Sequence, residues 1–309
     1  MKNFFLGLSN EAKGFIFGFI GIIIFSITPV ATKIALGNSN SQLSPEFITF
    51  GRSALAGILS LLYLLFFRKK IPKLKYLFNF SIIALCITVV FPLTLSLGLI
   101  YSTSIHAGVI LAFLPLATAV FASFYFKHKA SLGFWLCAFI GCILIVIYIL
   151  IHSHDENKKL ELSYSDILFC IAVIVAAIGY NFGAKLTKIM VSADVISWAL
   201  VLALPFHFGL AIYYFPKIEI NIISWLGFLY VAIFSQWIGF FAWYKGLDLG
   251  GAVRVSQIQL LMPFFTFAFS ISLLGEKLDF LTIIFSIAII LLIYISRKMA
   301  LLKSNLTYF

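Results

Sequence analysis

The chain of 309 residues is 62% hydrophobic and only 11% charged, where soluble domains hold about 45–50% and about 25%. That balance excludes a soluble globular domain. The net charge of +11 is not a nucleic-acid signature, because the basic residues sit in short connectors between apolar runs.

Ten apolar runs of roughly 20 residues follow one another, each long enough to cross a hydrocarbon core of about 30 Å. They lie at about 14–36, 46–67, 79–100, 105–126, 132–151, 165–184, 194–214, 223–243, 252–273 and 280–297. The runs are too long for barrel strands, and irregular backbone in lipid could not satisfy its hydrogen bonds, so helices are expected. The first run is too long for a signal-peptide core and lacks a small-residue cleavage site, so it is expected to remain as a span. With the N-terminus in the cytoplasm, the inside connectors hold sixteen basic residues, among them Lys13, Arg68, Lys69, Lys127, Lys129, Arg254 and Lys298. The outside connectors hold four: Lys158, Lys159, Lys217 and Lys277. This positive-inside bias places both termini in the cytoplasm. Cys86, Cys137, Cys142 and Cys170 fall inside apolar runs without a Cys-x-x-Cys pair, so neither a disulfide framework nor a zinc site is expected.

One pattern occurs twice. The stretch Gly98 to Lys129 recurs 148 residues later as Gly246 to Lys277. The ungapped alignment pairs Gly98 with Gly246, Pro115 with Pro263, Thr118 with Thr266 and Lys129 with Lys277. Five spans per half is an odd number, so the second half must enter the membrane upside down. Lys127-His128-Lys129 accordingly closes the fourth span inside, while Gly275-Glu276-Lys277 closes the ninth outside. The expected fold is an all-α integral membrane protein of ten transmembrane helices in two inverted five-helix repeats, a recurrent transporter design. Residues 1–151 form the first repeat, and residues 165–309 form the second with a short cytoplasmic tail. Residues 152–164, HSHDENKKLELSY, form a polar extracytoplasmic linker.

Several residues stand out against this apolar background. Pro115 and Pro263 lie near the middle of the fourth and ninth spans, where each removes a backbone donor and bends the helix. They are candidate hinges at a cavity, or ordinary kinks. Gln236 sits mid-span in the eighth helix, and Gln257 and Gln259 lie about two turns into the ninth. Their amides offer donors and acceptors to a solute or bond between helices. Trp237 could supply an apolar wall, and Trp243 and Tyr244 fall where an interfacial aromatic belt is expected. Tyr180 and Asn181 form a weaker polar–aromatic pair. Arg52 lies inside the second span, where an arginine must snorkel or pair; a bridge to a carbonyl or to Glu46 is as good a reading as solute contact. His207 reads better as a packed neutral histidine than as a titrating group. No Asp or Glu falls near the middle of a span, which argues against a proton-coupled carboxylate site.

The stretches FSITPVATKIA (Phe25 to Ala35) and PEFITFGRSALAGI (Pro45 to Ile58), with the Gly246…Pro263…Gly275-Glu276 pattern, resemble EamA-type proteins of the drug/metabolite transporter superfamily. The likeness runs from about Gly14 to Lys298. Two positions depart from the pattern: Phe25-Ser26 stands for a usual tryptophan-glycine, and His128 for a usual glutamate. The resemblance implies a ten-helix bundle around a cavity lined chiefly by spans one, three, four, six, eight and nine, often exporting amino acids or other small metabolites.

The expected function is a small-solute transporter of the inner (plasma) membrane, an exporter or exchanger of amino acids or related neutral or zwitterionic solutes by alternating access. The alternatives are an importer of another metabolite, a non-transporting scaffold, and a membrane-embedded enzyme. An enzyme would need convergent nucleophilic or ionisable groups, and the chain has no His-Glu-x-x-His, no Gly-x-Ser-x-Gly and no paired carboxylates. No cofactor, metal site or nucleic-acid partner is expected. The partners are a small solute and the bilayer, and a monomer is compatible with this reading.

Overall fold

The structure, a computed structural model, describes residues 8–37, 42–125, 131–154, 163–250 and 255–304. Regular structure among these residues is helical throughout. Helix α1 spans Asn10–Leu36; Ser9 caps it by accepting from the Ala12 amide, and Gly37 ends it at φ 85°. Helix α2 spans Pro45–Phe66, with Ser44 as cap and proline in the first turn, where its missing N–H costs nothing. The others are α3 (Leu74–Tyr101), α4 (Ser104–Tyr125), α5 (Leu132–His154), α6 (Tyr164–Thr187), α7 (Ser192–Tyr213) and α8 (Ile222–Gly250). Helix α9 runs through a tight 3-10 segment, Ser256–Leu261, into Met262–Leu274, and α10 covers Phe280–Ser304. Among the described residues eight helices, α1 to α8, are long and apolar enough to cross a membrane; α9 and the apolar part of α10 are shorter. Exposed Leu62, Phe66, Phe139, Ile174 and Phe206 spread over the outer faces, an apolar exterior suited to lipid rather than water.

Four helices are not uniform rods. Helix α3 widens into a π-helical segment at Ala84–Val90, and α8 does so at Tyr230–Ile238. Displaced by the 148-residue repeat, the first segment falls inside the second. Helix α4 breaks between Leu111 and Leu114, and α9 changes from 3-10 to α winding at Met262. Pro115 does not bend a continuous helix: it is the second residue of a fresh α-helical segment, where proline is tolerated because first-turn amides lack intrahelical acceptors. Pro263 stands one residue after the change of winding inside α9, which is otherwise unbroken.

Helix pairs pack in a reciprocal pattern. Helix α1 lies against α8 and α9, as α6 lies against α3 and α4, while α2 pairs with α7 and α5 with α10. Glycines permit the α1–α8 approach: a Cβ at Gly14 would stand 2.4 Å from the Gly250 Cα, and one at Gly246 2.7 Å from the Gly18 nitrogen. Such close backbone contact is how small residues hold membrane helices together. Lys127, His128, Lys129, Arg254 and most of the 152–164 connector lie outside the described residues.

Candidate functional site

The π-helical segment of α8 carries Ser235 and Gln236 to the centre of the bundle. Gln236 is fully buried. Its Nε2 donates to the Ile87 carbonyl at 3.4 Å, which belongs to the π-helical segment of α3. One amide thus links the two wide turns, whose loosened ladders present backbone groups sideways. Ser235 exchanges a hydrogen bond with Thr28 of α1 at 2.8 Å. Arg52 enters from α2: its Nη2 donates to Gln236 Oε1 at 2.6 Å and more weakly to Ser235 Oγ at 3.3 Å. Arg52 is 1% exposed, and its Nε and Nη1 have no protein partner.

These groups border a small central cavity. It draws Phe25 and Thr28 from α1, Arg52 from α2, Ile87 and Phe91 from α3, Leu111 and Leu114 from α4, Tyr180 from α6, Gln236 and Phe240 from α8, and Met262 from α9. Its volume is about 20 Å³, room for about one water molecule. The helices that surround it must separate before it can hold anything larger.

The residues singled out by sequence divide sharply here. Gln236, Arg52 and Tyr180 meet at the cavity, and Tyr180 sets its ring edge-on to Phe240 with centroids 5.9 Å apart. Arg52 bonds Gln236 and Ser235, not Glu46. Trp237, the next residue after Gln236, leaves the site for an outer flank, against Tyr63 and Phe241. Asn181 is structural glue, its Nδ2 donating to the Thr118 carbonyl of α4 at 2.9 Å and to Ala177 within its own helix. Gln259 is buried but does not line the cavity, and the side chain of Gln257 lies outside the described residues. Pro115 and Pro263 stand just beyond Leu114 and Met262, the residues that α4 and α9 contribute to the cavity.

Trp243 and Tyr244, expected in an interfacial belt, are instead 2% and 0% exposed. Glycines opposite make the room: a Cβ at Gly21 would lie 3.2 Å from that of Trp243, and one at Gly183 would strike the Tyr244 hydroxyl. His207 is packed, as expected, with Nε2 2.7 Å from Thr88 Oγ1. Sequence reasoning missed Thr28 and Ser235. The available signal was their position beside prominent residues, Pro29 and Gln236, within otherwise apolar runs.

The EamA-like transporter family model matches residues 12–151 and residues 163–297. An uncharacterized transporter of Bacillus subtilis (strain 168), YdeK, is 35% identical over 295 residues, covering 95% of this chain and 100% of its own. An uncharacterized transporter of Archaeoglobus fulgidus is 26% identical over 82% of this chain and 88% of its own. A solved crystal structure at 14% identity superposes with a TM-score of 0.62, covering 96% of this chain and 98% of that one, which is a likeness of fold. The cavity sits in a multi-pass bundle with an apolar exterior, and nearly the whole chain is matched: this protein belongs to the EamA-like transporter family.

Proposed function

We propose that the chain carries small metabolites across a bacterial inner membrane, as an exporter or exchanger of amino acids or related neutral or zwitterionic solutes. Two five-helix repeats of opposite topology, ten spans in all, rock about the central cavity, with both termini in the cytoplasm. The observation that carries this reading is the Gln236 amide joining the π-helical segments of α3 and α8 across a cavity of about 20 Å³. Polar side chains and loosened backbone converge on one small space, as in transporters whose site lies at the repeat interface. The paired family match, the reciprocal helix contacts and the irregular turns at repeat-related positions all support a duplicated, alternating architecture. Because the cavity is too small for a solute, loading requires helix separation, and alternating access supplies it. Packed helices switch between discrete arrangements rather than deforming continuously.

Counterflow in proteoliposomes tests the proposal. Vesicles are preloaded with amino acids and small metabolites, potential and pH difference are held at zero, and labelled external solutes are followed. Wild type is expected to accumulate label above protein-free vesicles. Gln236→Ala should abolish the uptake, whereas Lys217→Ala on the exposed α7–α8 connector should not. Uptake indifferent to Gln236→Ala would remove the site from this cavity.

A further inference from the structure

We infer that the solute presents a carboxylate to Arg52, on a body that is otherwise apolar; this rests on the cavity being the transport site. An arginine side chain keeps its charge in proteins and carries five N–H donors. Here it is 1% exposed, and among the described residues no carboxylate pairs with it. Its two partners, Gln236 and Ser235, are neutral and both take Nη2. The three N–H groups on Nε and Nη1 go without a protein acceptor. A buried charge left in this state calls for a counterion, and the cavity is the space from which one can come.

The donor geometry selects the anion. The rigid guanidinium plane matches a carboxylate through paired N–H groups. Set against either edge of that plane, a carboxylate engages Nε or Nη1 and shares Nη2, whose 3.3 Å contact with Ser235 is the weaker of its two. No acidic side chain lines the cavity, so nothing there pairs with an ammonium group by charge, while Phe25, Phe91, Leu95 and Phe240 form an apolar wall. The loaded site is neutral for a monocarboxylate, and a free amine meets only repulsion from Arg52. An amino acid and its des-amino acid share the recognised group, and the experiment separates them.

Full-length protein in detergent is melted with millimolar 4-methylpentanoate, leucine, 4-methylpentanamide or 3-methylbutylamine. Both carboxylates are expected to raise the melting temperature, and the amide and amine to leave it unchanged. A larger rise for 4-methylpentanoate than for leucine is expected, because nothing in the cavity pairs with the ammonium by charge; the reverse order would overturn the apolar body and keep the carboxylate. The preference for acid over amide should reach about a hundredfold in apparent affinity, the upper worth of a hydrogen bond to a charged partner. Arg52→Gln should lose the carboxylate response while melting no lower than wild type. Arg52→Lys, which keeps the charge without the planar fork, should retain it at least about tenfold weaker. Three results would overturn the inference: equal stabilisation by acid and amide, no stabilisation of wild type by either carboxylate, or an unaltered response in Arg52→Gln. Carboxylate-selective stabilisation without counterflow would sink the transport reading and keep the ligand class; amide counterflow through Arg52→Gln would do the opposite.

Discussion

At the scale of single residues, polar groups in the bundle are few and each has a definable task. His207 shows how far the hydrogen-bond network fixes one. Thr88 Oγ1 spends its only proton on the Ala84 carbonyl at 2.6 Å, so at 2.7 Å from His207 it can only accept. Nε2 of His207 therefore carries a proton, its Nδ1 has no protein partner, and full burial without a charged partner favours the neutral ring. A histidine held this way fastens α7 to α3, and no part in proton movement is expected of it. His207→Gln is accordingly expected to shift the rate of counterflow equally at all points between about pH 5 and 8, the range in which histidines ordinarily titrate. A profile that changes shape in the variant would give His207 a part in coupling. Sequence identified Gln236 and Arg52 because a polar residue inside an apolar run has to be accounted for. It could not separate Gln236 from Trp237 by facing, since a π-helical turn abandons the 3.6-residue period on which facing is read. Nor could it place Trp243 and Tyr244, which are buried by the grace of Gly21 and Gly183 on other helices.

At the scale of elements, the α1–α8 crossing depends on backbone meeting backbone. A Cβ at Gly14 would stand 2.4 Å from both the Cα and the nitrogen of Gly250, neither of which can rotate aside. Overpacking costs about 1–3 kcal/mol where side chains can yield, so Gly14→Leu is expected to cost at least that much in a thermal melt. Gly209 in α7 has nothing within 4 Å of its would-be Cβ, and Gly209→Ala should gain about 0.5–1 kcal/mol from helix propensity. Similar melting temperatures for the two variants would show that α1 and α8 do not pack at these glycines. Helix existence was legible from apolar run length, and the described helices fall within a few residues of the expected runs apart from the start of α3 and the far ends of α8 and α10, which run on past the expected limits. Helix interruptions were not. Pro115 and Pro263 signal a disturbance, but whether proline kinks a helix or opens a new one depends on the residues before it. Ala112-Phe113 and Ser256–Leu261 carry no breaker of their own.

At the scale of the whole molecule, the 148-residue spacing was legible, whereas the contacts that tie helix ends together were not, because they join turns far apart in the chain. Glu276, in the α9–α10 turn, accepts from the Ser104 amide at 2.8 Å and the Ile105 amide at 2.9 Å. With Thr103 taking the His106 amide, the first turn of α4 is fully capped, and the carboxylate favours that helix end electrostatically. Lys33 of α1 donates to the carbonyls of Leu99, in the last turn of α3, and of Ser102, just after it. The ends of α1, α3, α4 and α9 are thus pinned together at one end of the bundle, the extracytoplasmic end in the proposed topology, and alternating access requires them to part. Glu276→Gln keeps the shape but gives up the charge and one of the two acceptors, a loss of about 1–2 kcal/mol. If the contact exists only in the closed state, that loss moves the equilibrium toward opening by about tenfold. The readout is a cysteine placed at Thr28, in a chain whose four native cysteines are replaced, labelled by a membrane-impermeant maleimide added outside. Labelling about ten times faster with Glu276→Gln, at a melting temperature lowered only slightly, is expected. Equal labelling rates would mean that closure is held elsewhere, and the Glu276 carboxylate would then be no more than a helix cap.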